Sequence, residues 1–160
     1  MKMIIRRFAI ATILLVVALP AWSQEQVVGD LVLSAPEDWR ISKLYAESNR
    51  GAGIEIVSGD GGFLTVQTRS ESAGTGFPSL RSGVDLYEEI EFSAELPGFV
   101  SGFAMSARDS KTYMFSLEHG GKSYVVVMGY NVNSERVTVE RIRDLHETVV
   151  EIASSFSFSD

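Results

Sequence analysis

Residues 99–130 read FVSGFAMSARDSKTYMFSLEHGGKSYVVVMGY. Three β-prone runs, Phe99 to Ala107, Lys111 to Glu118 and Lys122 to Tyr130, are divided by Arg108-Asp109-Ser110 and by His119-Gly120-Gly121. Successive side chains of a strand point to opposite faces, so Tyr113, Phe115 and Leu117 share one side, as do Tyr124, Val126, Met128 and Tyr130. The same rule groups Phe99, Phe103, Met105 and Ala107. Turns this short join neighbouring strands antiparallel, which predicts a meander with one apolar wall.

Upstream, Gly53 to Val57 and Phe63 to Arg69 flank Ser58-Gly59-Asp60-Gly61-Gly62, a hairpin signal with Ile54, Ile56, Leu64 and Val66 at alternating positions. Val27 to Leu33 reads as one strand with Val27, Leu31 and Leu33 on a face. Trp39 and Ile41 follow the Pro36-Glu37-Asp38 turn in a second, with Trp39 as a core anchor. The Gly- and Ser-rich stretch from Ser70 to Pro78 reads as a loop.

Ser82 and Asp85 resemble a capping box, and Val84, Tyr87, Ile90 and Ala94 recur at helical spacing, predicting a helix from about Ser79 to Ala94. Pro97-Gly98 supplies its stop. Downstream of the meander, Val139, Ile142, Leu145, Val149 and Ile152 predict a second amphipathic helix, from Ser134 or Val137 to Ala153. Phe156 and Phe158 then alternate with serines, as an edge strand or as plugs for the core. The expectation is an α+β domain: a mainly antiparallel sheet of six to seven strands covered by two helices.

The first residues, MKMIIRRFAIATILLVVALPAWSQ, have the three-part form of a secretory signal: Lys2, Arg6 and Arg7, an apolar run from Phe8 to Leu19, and small residues at Ala21 and Ser23. The run is shorter than the ~20 residues that a spanning helix needs. Cleavage after Ser23 leaves 24–160 as a single domain, periplasmic or secreted, with no stable membrane anchor. The chain's charge of −7 becomes −10 once Lys2, Arg6 and Arg7 are gone. So acidic a chain repels phosphate backbones, which excludes nucleic acid as a natural partner. The absence of cysteine removes disulfides, thiolate metal sites and cysteine nucleophiles.

With these pieces in order, the chain resembles the PsbP/DcrB-like (Mog-type) group. The resemblance is carried by LVLSAPEDW at 31–39, the hairpin, a helix ending at LPGF, SYVVVMGY at 123–130 and IASSFSF at 152–158. It implies that group's α/β/α sandwich and a non-enzymatic role as an exported accessory or interaction protein. The partner would be another protein of the cell envelope. The group has no catalytic signature to transfer.

The residues themselves carry little chemistry. His119 and His146 are the chain's two histidines, and no third ligand is spaced with them for zinc. No G-x-S-x-G elbow occurs. A hydrolase assembled from distant positions stays open as an alternative, and it requires a serine hydroxyl within hydrogen-bond reach of either histidine. An apolar-ligand module is a second alternative, if Phe103, Met105, Phe115, Tyr124 or Met128 line a cavity open to water. No catalytic, cofactor-binding or metal residues are assigned. Asp85, Glu88, Glu89 and Glu91 form the densest acidic set. On one face of a helix they suggest a surface for a basic partner, and they converge too poorly for calcium.

Overall fold

Gly29 sits at φ +62°, a backbone that L side chains rarely adopt, and it reverses the chain together with Asp30. The stretch read as one strand is therefore a hairpin of β1 (Ser23–Val28) and β2 (Leu31–Pro36), with Val28 opposite Leu31. Leu31, Leu33 and Ala35 are buried, whereas Val27 is 60% exposed. Gly-Asp between β-prone runs is itself a two-residue hairpin signal. The computed structural model describes residues 23–45, 52–69, 87–132 and 138–160.

After β2 come β3 (Arg40–Tyr45), β4 (Gly53–Val57), β5 (Gly62–Arg69) and the two-residue β6 (Tyr87–Glu88). The meander follows as β7 (Phe99–Ala107), β8 (Ser110–His119) and β9 (Lys122–Asn131), then α1 (Val139–Ser154) and β10 (Ser157–Phe158). One antiparallel sheet runs β3-β4-β5-β9-β8-β7-β6, and a smaller one runs β1-β2-β10. The small sheet thus joins the N-terminal hairpin to the end of the chain.

The expected two-helix α+β sandwich is corrected. Among the described residues there are ten strands in two sheets and a single α-helix. Residues 79–86 of the expected first helix, including Asp85, lie outside the described residues. Its second half is not helical: Tyr87 and Glu88 pair with Met105 and Ala104, and Ser93–Glu95 form one 3₁₀ turn. Ile90 and Phe92 are both buried. Ser93 N–H donates to the Ile90 carbonyl at 3.1 Å, so Glu91 and Phe92 are the central residues of a turn that leads into the 3₁₀ turn. Burial of both Ile90 and Phe92 by way of this turn prevailed over the helical spacing of Val84, Tyr87, Ile90 and Ala94.

The inner face of the large sheet carries Ile54, Ile56, Leu64, Val66, Met128, Val126, Tyr113, Phe115 and Leu117, which meet across the ladders and are all essentially buried. Leu31 and Leu33 of the small sheet and Leu145, Val149 and Ile152 of α1 close over the same core. Phe156 plugs it and Phe158 enters β10, so the end of the chain does both things its alternation suggests.

One strand of the meander faces the other way from its sequence reading. A register shift between Phe99 and Ser101 moves every later side chain of β7 to the opposite side. Phe99 stays inward, opposite Leu117. Beyond the shift Gly102 and Ala104 face Phe115 and Tyr113, while Phe103 and Met105 turn outward opposite Met114 and Thr112.

The α1 helix starts where Thr138 takes an extended backbone and its hydroxyl accepts from Arg141 N–H at 3.3 Å. Arg141 also pairs with Asp60, tying the helix to the β4–β5 turn. Val139, expected in the apolar stripe, is 83% exposed at the first turn. Removing the cap with Thr138→Ala should cost about 1 kcal/mol and lower Tm by about 3 °C, measured by thermal melts.

Candidate functional site

Alternation along β8 puts Lys111 on the same side as Tyr113 and Phe115, at the end of the inner face where Tyr130 is its partner on β9. The segment from β6 to the 3₁₀ turn flanks this end on one side, and α1 on the other. Glu91 stands between buried Ile90 and Phe92, which fix its backbone. The Phe92 and Tyr113 rings meet at 4.8 Å.

Glu91 Oε1 is the hub. The Tyr113 hydroxyl donates to it at 2.6 Å and Lys111 Nζ at 3.1 Å. His146 of α1 brings Nε2 to 3.7 Å from the same oxygen, while its Nδ1 lies 3.5 Å from the Tyr113 oxygen. The phenolic proton is directed at Glu91, so in any hydrogen bond between Tyr113 and His146 the ring N–H is the donor. Tyr130 meets the His146 ring edge-on, with centroids 6.3 Å apart. Lys111 Nζ also lies 3.8 Å from Glu88 Oε2, which accepts from the Ser106 hydroxyl at 3.0 Å.

Partial burial alone would raise the Glu91 carboxyl. Hydrogen bonds from Tyr113, its own backbone and Lys111, with the Lys111 charge, outweigh that and hold it below the usual glutamate value. Burial, then the Glu91 carboxylate, push Tyr113 far above an ordinary phenol, and Tyr130 is raised for the same reasons in the same order. A phenol in this state stays protonated at neutral pH, with its O–H held as a donor to Glu91. The arrangement is a brace across three elements.

Of the acidic set, Glu88 and Glu91 turn toward Lys111, Glu89 is exposed, and Asp85 lies outside the described residues. The three described glutamates sit on a strand and turn rather than a helix face. Sequence reasoning missed Lys111, Tyr113 and Tyr130 as partners. The available signal was a lysine in phase with the buried positions of β8.

His119 lies away from this cluster, stacked parallel on Phe158 at 4.3 Å. Among the described residues no serine hydroxyl hydrogen-bonds either histidine, so the contact that a hydrolase requires is not formed there. Among the same residues no group of three or more His, Asp or Glu converges as a metal-ligand set. Phe115, Tyr124 and Met128 are fully buried, while Phe103 and Met105 face outward. These five side chains do not line one hollow, so the requirement of the apolar-ligand reading is not met by them.

No protein-family model matches the chain, and no curated protein does either. A crystal structure from Bacteroides thetaiotaomicron is similar over 82% of this chain, with a TM-score of 0.42 and 9% identity. The match covers 46% of that protein, so the chain spans less than half the neighbour's length. A likeness of this degree assigns neither family nor activity.

The raised phenols predict an alkaline signature. Stability from a raised acid is fully present below its unfolded value, 10.0 here, and is lost as pH climbs toward the folded value. Tyrosinate absorbance should therefore show Tyr113 and Tyr130 ionising above the ordinary phenol range, together with loss of the fold. Tyr113→Phe should remove one late-titrating group.

Proposed function

We propose that the chain is an exported, non-enzymatic accessory domain that acts by binding another envelope protein. The observation that carries this reading is the closure of the Glu91 cluster: Tyr113 and Lys111 both donate to Glu91 Oε1 and His146 lies 3.7 Å from it, which suits bracing rather than turnover. The secretory form of residues 1–23 supports export, to the periplasm or beyond, and the acidic balance favours a basic partner surface. The role also accords with the resemblance to the PsbP/DcrB-like group. That group's two-helix sandwich is no part of the proposal.

The test is crosslinking in intact cells, followed by identification of the adducts, with wild type, Tyr113→Phe and His146→Ala. A single protein adduct retained by both variants is the expected result. Should either substitution abolish a measurable turnover without lowering stability, the cluster is catalytic and the reading fails. Glu88→Lys with Glu89→Lys checks the acidic segment: unchanged capture would move the contact elsewhere on the molecule.

A further inference from the structure

We infer that docking of β1 and hydrolysis of the Ser23–Gln24 bond exclude each other, so the chain must be processed before its first strand joins the sheet. The inference rests on the reading of residues 1–23 as a cleaved leader. It comes from the pairing on both sides of the scissile bond: Ser23 and Gln24 each have a partner on β2, so the bond lies within the ladder.

The register shows which side of the bond is held. Ser23 pairs with Pro36, Gln24 with Ala35, and the ladder closes at Val28 and Leu31 around the two-residue turn. In such a hairpin the pair flanking the turn exchanges both hydrogen bonds, and bonded pairs alternate from there. Gln26–Leu33 and Gln24–Ala35 are then bonded pairs, and Ser23–Pro36 is not. Two features agree with that phase. Ser34 N–H turns away from β1 and donates to the Ser155 hydroxyl at 2.8 Å. Pro36, which has no N–H to offer, occupies an unbonded slot.

The Gln24 nitrogen therefore has its hydrogen on the Ala35 carbonyl, and the Gln24 side chain adds a bond from Nε2 to Glu37 O at 3.1 Å. In hydrolysis, water adds to the Ser23 carbonyl carbon, the bond to Gln24 breaks, and the nitrogen takes a proton as it leaves as an amine. That nitrogen must turn pyramidal and accept a proton while the ladder holds it planar. After cleavage the same atom is an α-ammonium opposite the Ala35 carbonyl, a charged donor in place of a neutral one. Processing thus strengthens the last rung of β1.

The experiment uses the full chain in detergent micelles with a bacterial signal peptidase, comparing folded protein with urea-unfolded protein diluted directly into the assay. Folded wild type should be cleaved at least about tenfold more slowly, as expected when attack requires local opening. Gln26→Pro removes the ladder bond to Leu33 and frees residues 23–25 without touching the core. With cooperative urea unfolding retained, this folded variant should be cleaved about as fast as its own unfolded form. Equal rates for folded and unfolded wild type overturn the inference, and so does a folded Gln26→Pro chain that stays resistant. If the unfolded chain is not cut before Gln24, the leader reading itself has failed.

Discussion

Replacing Gly102 by valine should destabilise the fold by about 3 kcal/mol and lower Tm by about 10 °C. A β-carbon at this position would lie 2.5 Å from Phe115 Cβ, 2.7 Å from the Met114 carbonyl oxygen and 2.9 Å from Ile90 Cδ1. None of these can withdraw cheaply: one is backbone, and Phe115 and Ile90 are buried in the core. Ala104→Asp tests the same face with charge, since Ala104 is fully buried opposite Tyr113. The unshifted alternation of β7 places both residues outward, where either change would alter stability by less than about 0.5 kcal/mol. Denaturant midpoints at constant slope separate the alternatives, and a wild-type midpoint for both variants would reject the inward placement.

The same strand shows what could be read from sequence and what could not. Its existence, its bounds and its turn to β8 follow from composition and alternation, because β-branched and aromatic residues fit a pleated surface. Its facing does not, because a one-residue irregularity between Phe99 and Ser101 leaves no mark on the hydrophobic pattern of later residues. Strands β8 and β9 run without a shift, and Tyr113, Phe115, Leu117, Tyr124, Val126 and Met128 lie where alternation places them. In α1, Leu145, Val149 and Ile152 were legible for the same reason, while exposed Val139 belongs to a first turn that has not reached the sheet.

The candidate site was legible only in fragments. Glu88 and Glu91 stood out as charge, but their partner Lys111 is 20 or more positions away and is brought in by the β7–β8 pairing. Reading Tyr87 to Ala94 as a helix gave these carboxylates a solvated face. The turn instead sets Glu91 between buried Ile90 and Phe92 and aims it at the Tyr113 hydroxyl. Ion-pair geometry of this kind depends on strand register, and local periodicity carries no information about a partner on another strand.

Removing Glu91 should have the largest effect of any change at that site. In Glu91→Ala the Tyr113 hydroxyl, on a residue with no exposed surface, loses its acceptor, and Lys111 loses its nearest carboxylate. A stranded buried hydroxyl costs about 1–3 kcal/mol. Because the Glu91 side chain is 42% exposed, water recovers part of this, and about 2 kcal/mol at neutral pH is expected. Glu91→Gln keeps an oxygen for Tyr113 and should lose about half as much. The pH dependence has a definite sign. A carboxyl whose folded value lies below its unfolded 4.5 contributes fully above that value and loses its contribution as pH falls through the folded one. The gap between wild type and Glu91→Gln should thus be constant near neutrality and close in acid. In a double-mutant cycle with Tyr113→Phe, the coupling should reach about 1 kcal/mol at neutral pH, because removing the hydroxyl relieves the variant that lacks its acceptor. Parallel acid-unfolding curves for wild type and Glu91→Gln, together with zero coupling, would mean that the brace contributes nothing through its charge or its shared proton.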